Sequence, residues 1–222
     1  MSTEQPFRDS DFDTFKLIHR AMLREVDAIA RMIRALAPGD RVRPKRLREW
    51  LRFVERTFHH HHTVEDRYFF PMLLRKDPGF SEAMASLDAE HAELDPLLRE
   101  TCNGLKRLSE VEESQWGALR DEVADCAARF HESLGRHLLH EEQEVIARSR
   151  AHLNRFDMET FNRRAMRQIP VHDMRTVVPW LLETCTEEER RRAMGNMPWG
   201  ARMLVTWVWQ PWFKRRTEAL RS

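Results

Sequence analysis

At 222 residues the chain is long enough for one well-buried domain with an appendage. Lysine and arginine total 37 against 36 acidic residues, a net charge of +1, which excludes the basic footprint that a nucleic-acid partner requires. Seven glycines and one tyrosine, with abundant Arg, Glu, Leu, Ala and Met, favour an all-α protein.

No apolar run approaches the roughly 18 residues of a membrane span, and the start MSTEQPFRDSDFD lacks the basic and apolar regions of a signal peptide. A cytoplasmic location is expected. Cys102, Cys126 and Cys185 are widely spaced and in no CxxC arrangement, so they read as reduced structural thiols.

In chain order, Phe15, Ile18, Met22, Val26, Ile29, Ile33 and Leu36 recur in steps of three and four. They mark one face of a helix over residues 11–37, ended by Pro38-Gly39-Asp40. A second helix is expected from Pro44, a residue tolerated in a first turn, through Leu47, Trp50, Leu51, Val54 and Phe58, stopped by Pro71 and Asp77-Pro78-Gly79. A third starts near Ser81, its expected N-cap, and follows Met84, Leu87, His91, Leu94, Leu98, Cys102 and Leu105. Pro96 should kink it, having no amide to bond back to Ala92. The fourth follows Trp116, Leu119, Val123, Cys126, Phe130, Leu134, His137, Glu141 and Val145 and ends near Arg150.

Long helices joined by short loops predict an antiparallel, up-down-up-down four-helix bundle over residues 1–150. From Met158 on, Pro170, Pro179, Pro198 and Pro211 cut the chain into short pieces, and five of the seven tryptophans fall here. Residues 151–222 are therefore expected to form a helical extension packed on the bundle. Its apolar stretch at 203–213 is too short to span a bilayer and is expected to bury against the bundle.

The stretch TFHHHHTVEDRYFFPMLL, residues 57–74, sets four histidines ahead of an acidic pair. On the helical faces just described, His19 falls between Phe15 and Met22, and His91 between Leu87 and Leu94. His61 and Glu65 are four apart on the line of Val54 and Phe58. His137 and Glu141, also four apart, lie between Leu134 and Val145. Side chains four apart sit over one another on a helix, so each HxxxE offers a nitrogen and a carboxylate to one point. Two such pairs, with a histidine from each remaining helix, could hold two metal ions bridged by the carboxylates. A lone core histidine is ordinarily hydrogen-bonded structure, but an ionised carboxylate on a core face costs several kcal/mol, roughly, without a cation. Six such residues on four core stripes point to metal. His62 and Asp66, one step round, and Glu142 are expected either to orient ligands or to add one. His59, His60, His131, His140, His152 and His172 read as surface.

HHTVEDRYFFP, EHAELDPLL at Glu90 and HLLHEE at His137 resemble the motifs of the hemerythrin-like, HHE cation-binding family, whose oxygen-carrying members are four-helix bundles around two irons. The resemblance covers about residues 10 to 150. It implies two iron ions with a bridging oxo or hydroxo group, other divalent metals being possible. His19 and His61 would ligate one iron, His91 and His137 the other, with Glu65 and Glu141 bridging. Where the oxygen carriers have a second histidine on the third helix, this chain has Asp95, a possible seventh ligand. On the fourth helix Glu142 matches the oxygen carriers' spacing and Glu141 the HHE pattern. Glu141 is chosen because one more helical step, about 100°, turns Glu142 off the core stripe.

Fewer histidines leave an open position or a harder oxygen ligand, which argues against reversible O2 carriage. The expected function is that of a non-haem di-iron oxidoreductase that activates O2 or peroxide, with a small-molecule substrate and a reductant as partners. The alternatives are an O2, NO or iron sensor without turnover, and a metal that merely staples the bundle. The extension would wall a substrate pocket, or else stabilise the fold or join two copies.

Overall fold

The computed structural model describes residues 12–221, so the expected helix start at Asp11 lies outside the described residues. All regular structure among them is helical. Four long helices carry the fold: α1 (Asp13–Arg34), α2 (Arg43–Val64), α4 (Ser81–Leu108) and α5 (Glu113–His152). The short α3 (Phe70–Lys76) follows α2, and the remainder comprises α6 (Arg155–Gln168), α7 (Val171–Thr184), α8 (Glu187–Asn196), α9 (Trp199–Leu204) and α10 (Gln210–Arg221). None of the described helices is long and apolar enough to cross a membrane.

Each long helix packs on two others: α1 on α2 and α5, and α4 on α2 and α5. Two hydrophobic clusters fill the space between them, and their order along the chain alternates. On α1, Phe15 belongs to one cluster and Met22 to the other; on α2, Phe58 and Val64 stand in the reverse order. Leu87 and Leu94 on α4 repeat the order of α1, and Leu134 and Val145 on α5 that of α2. His19, His61, His62, His91, His137 and Glu141 fall between these marker residues, and Glu65 directly follows Val64, so a polar layer lies between two apolar ones. Gly104 lets α4 and α5 approach closely: a Cβ there would clash with the Val123 side chain.

Pro71 does not stop the second helix. A π-helical turn, Glu65–Phe69, precedes it, in which the Phe70 amide reaches back to the Glu65 carbonyl. Proline cannot donate to the carbonyl four residues back and its ring crowds that carbonyl, so a turn wider by one residue accommodates it and the helix continues. The same device recurs at Val205–Trp209, directly before Gln210 and Pro211. Pro96, by contrast, lies inside an unbroken α4. Ser81 is the first residue of that helix rather than its cap, and the expected capping bond is not formed; Asp77 instead accepts from the Gly79 amide.

The residues after α5 lie against the α1–α2 face. The α7 helix packs on α1, and α10 on α2 and α7. Glu25 accepts from two indoles at once, Trp50 Nε1 at 2.6 Å and Trp180 Nε1 at 3.1 Å, tying α1, α2 and α7 together. The expectation for residues 203–213 is overturned in part. Val205 and Phe213 are buried, but Met203, Leu204, Trp207 and Val208 are exposed, Trp207 by 70%. Within the π turn Val205 is buried, Trp209 half-buried, and Trp207 and Val208 exposed, and the turn packs on α7 and α10.

Candidate metal centre

The polar layer is built from all four long helices. His19 comes from α1, His61 and His62 from α2, Glu65 from the π turn, His91 from α4, and His137 and Glu141 from α5. All but the half-buried His91 are buried, and Glu65 and Glu141 have no exposed surface. The side chains form two groups, in each of which one ligand atom per residue lies within 4.8 Å of every other: His19, His61, Glu65 and Glu141, and beside them His62, His91 and His137.

In the first group His19 Nε2 and His61 Nε2 are 3.0 Å apart, and His61 Nε2 is 2.9 Å from Glu65 Oε1. Glu141 joins the groups, with Oε2 3.4 Å from His19 Nε2 and 3.8 Å from His137 Nε2. In the second group His91 Nε2 and His137 Nε2 converge at 3.1 Å, and the His62 and His91 rings stack with centroids 3.6 Å apart.

Carboxylates outside the layer set the tautomers. His19 Nδ1 donates to Glu142 Oε1 at 3.0 Å, and His137 Nδ1 to Glu90 Oε2 at 2.9 Å. An imidazole that donates from Nδ1 presents a lone pair at Nε2, which is how ligating histidines are oriented. The lone pairs of His19 and His137 therefore point inward at neighbouring imidazole nitrogens. Phe15, 4.2 Å from the His19 ring, and Phe58, 4.0 Å from that of His62, pack the rings in place.

Burial by itself drives these groups towards neutrality. Burial pushes the carboxyls of Glu65 and Glu141 well above the usual carboxylate range. Burial, and then the neighbouring imidazoles, hold His19 and His62 well below the ordinary histidine value and take His91 down to about 3. His61 and His137 are lowered by burial as well, against the opposing pull of Glu141 and Glu90 respectively.

Both oxygens of Glu65, both of Glu141 and Nε2 of His62 lack a hydrogen bond of acceptable geometry. Five orphaned atoms in one buried layer are what a divalent cation satisfies and what a purely structural polar core avoids. Five imidazoles and two carboxylates suit iron, manganese or zinc rather than the all-oxygen preference of calcium or magnesium. The residues present fit the two-metal expectation.

The structure brings together His19, His61, Glu65, His91, His137 and Glu141. It does not bring Asp95 there: that side chain is 45% exposed and faces His59 Nδ1 at 3.8 Å, so the possible seventh ligand from α4 is displaced. His62 stands with His91 and His137 in the second group, as the additional-ligand expectation for it allowed. His61 faces His19 on α1 and His62 faces His91 on α4, the two long helices that α2 packs on, so both adjacent side chains turn inward. Asp66 is exposed and orients no imidazole; with Asp88 it lies close to His91 at the rim, and burial, then Asp88, raise its carboxyl. Glu142 faces outward onto His19. Glu90 was not anticipated, although its place directly before His91 was visible. It also binds His140, 2.7 Å away and only partly exposed, contrary to the surface expectation. His60, likewise expected at the surface, is half-buried and lines a cavity open to solvent on one side.

The family model for the hemerythrin HHE cation binding domain matches residues 10–149, all four long helices nearly to the end of α5. Zinc finger protein BRUTUS of Arabidopsis thaliana is 24% identical over 177 residues, which is 80% of this chain but only 14% of that protein. No solved structure was found to match. The three motifs, their spacing and the buried His/Glu layer they form agree with that family model: the chain belongs to the hemerythrin HHE cation-binding family.

Proposed function

We propose that this chain is a non-haem di-iron protein that reacts with O2 or peroxide, acting as an oxidoreductase on peroxide or on a small molecule. The observation that carries the reading is the pair of convergent donor groups joined by one fully buried carboxylate, Glu141. His19, His61 and Glu65 would hold one ion and His62, His91 and His137 the other, with Glu141 between them. Bound iron would supply the electrons that reduce O2 or peroxide.

The chain's own part is positional and electrostatic. Glu142 and Glu90 keep Nε2 of His19 and His137 free of protons, and the two apolar layers exclude bulk water from the polar one. In this reading the long helices run up-down-up-down, as the alternating order of the apolar clusters supports. Asp95 stands outside both donor groups. A cytoplasmic protein with three free thiols is consistent with this chemistry.

A second reading is a sensor without turnover, favoured by the direct packing of α7 on the His19-bearing α1. One experiment separates the two: purify the protein without oxygen, count metals, then supply O2 or peroxide with a reductant. Two irons per chain and steady consumption of oxidant are expected. A single stoichiometric reaction followed by a stable state supports the sensor, and fewer than one metal per chain, unaffected by His61→Ala, overturns the site.

A further inference from the structure

Between α1 and α2 on one side and α6 and α7 on the other lies a cavity of about 540 Å³, within the usual range for small-molecule sites. Its wall is mainly apolar and aromatic, including Phe15, Phe53, Phe161, Ile169 and Trp180. At its inner end it reaches His61, and the Phe15 ring forms part of the wall while packing against His19. The cavity therefore adjoins the candidate metal centre on the side held by the first histidine group.

We propose that this cavity binds an uncharged, largely apolar organic molecule, aromatic or aliphatic, and delivers it to the His19–His61 side of the metal centre. Charge decides the class. Among the lining groups the formal charges are Arg56 and Asp173, which are opposite, and Asp173 already has His172 Nε2 at 3.6 Å. A charged ligand would thus be desolvated against apolar wall with no unmatched counter-charge to meet it. An apolar one gains the burial of its surface against preformed aromatic side chains. Thr14, Thr63 and Asn162 also line the space and can meet a single polar group, while the Thr57 hydroxyl donates to the Phe53 carbonyl. Half of this enclosure comes from residues after α5, beyond the matched family domain, so the extension contributes a wall the bundle alone lacks.

Naming the occupant a substrate rests on the di-iron reading; its binding does not, because the wall is complete without a metal. The test uses the full chain and 4-fluorobiphenyl, an uncharged probe followed by 19F NMR. With zinc-loaded and metal-free protein alike, one saturable site is expected. Ala165→Phe places a ring in the cavity and should weaken binding roughly tenfold or more through overpacking of the occupied site. Met166→Trp, on the more exposed part of the wall, narrows the cavity from outside and should weaken binding in the same direction. Trp207→Ala removes an exposed apolar alternative and should leave affinity unchanged.

Replacing zinc with cobalt should broaden the bound fluorine signal, since the cavity touches His61. Unchanged affinity in both blocking variants, loss of binding in Trp207→Ala, or equal line widths with zinc and cobalt overturns the proposal. Metal counts on the same samples keep the two readings apart. Probe binding in a protein that holds no metal retains the cavity and removes the di-iron reading, whereas a full metal complement with no probe binding does the reverse.

Discussion

Replacing His62 with leucine should make the metal-free protein more stable while costing it a metal ion. His62 is buried and its Nε2 has no hydrogen-bond partner. An unsatisfied buried polar atom costs about 1–3 kcal/mol, and leucine fills a similar volume without one. The lost contacts are the stack on His91, the edge contacts with Phe58 and His137 and a tilted contact with His61, which leucine partly replaces with apolar packing. For a chain of this size each kcal/mol corresponds to about 2–4 °C in Tm, so calorimetry of the metal-free protein should record a rise of several degrees. On the proposed two-ion reading, metal analysis should show the ion on His62, His91 and His137 weakened by more than the 10–100-fold, roughly, that removal of an outer partner typically costs. The first ion, on His19, His61, Glu65 and Glu141, should stay. A variant that is less stable without metal and still retains two ions would refute the reasoning, because His62 would then be ordinary structure.

Three further outcomes can be measured. For His91 the folded-state pKa is about 3 against 6.5 ordinarily, so unfolding takes up a proton between those values and the metal-free fold loses stability as pH falls through that window. Urea titrations at descending pH should show His91→Leu gaining on the native sequence by up to about 1.4 kcal/mol per pH unit below 6.5; a constant difference would contradict the shift. Glu90→Ala removes the acceptor for His137 Nδ1 and should lower affinity for the second ion about 10–100-fold with little change in fold, as seen by competition with a chelator. Gly104→Ala forces a methyl into Val123 and should destabilise the protein by about 1–3 kcal/mol in denaturant unfolding, with the metal count unaltered.

Much of this protein is determined by its sequence alone. The recurrence of Phe15, His19 and Met22, or of Leu87, His91 and Leu94, assigns each histidine to an inward face, because side-chain direction in a helix follows from spacing alone. The i,i+4 spacing of His61 with Glu65 and His137 with Glu141 likewise brings nitrogen and carboxylate together before any packing is considered. What spacing cannot decide is the side of a boundary on which a residue falls. His61 and His62 are one step apart, and both turn inward only because α1 and α4 stand where they do. Asp95, a single turn beyond His91 and next to Pro96, falls outside for the same reason. Glu90 and Glu142 became partners of His137 and His19 through contacts 47 and 123 residues apart, which no local pattern carries. In the tryptophan-rich tail, Trp180 is buried and Trp207 exposed although both sit in apolar runs. The reason is tertiary: α7 found a place on α1 and a carboxylate for its indole at Glu25, whereas Trp207 lies on a π turn that gives only Val205 to the core.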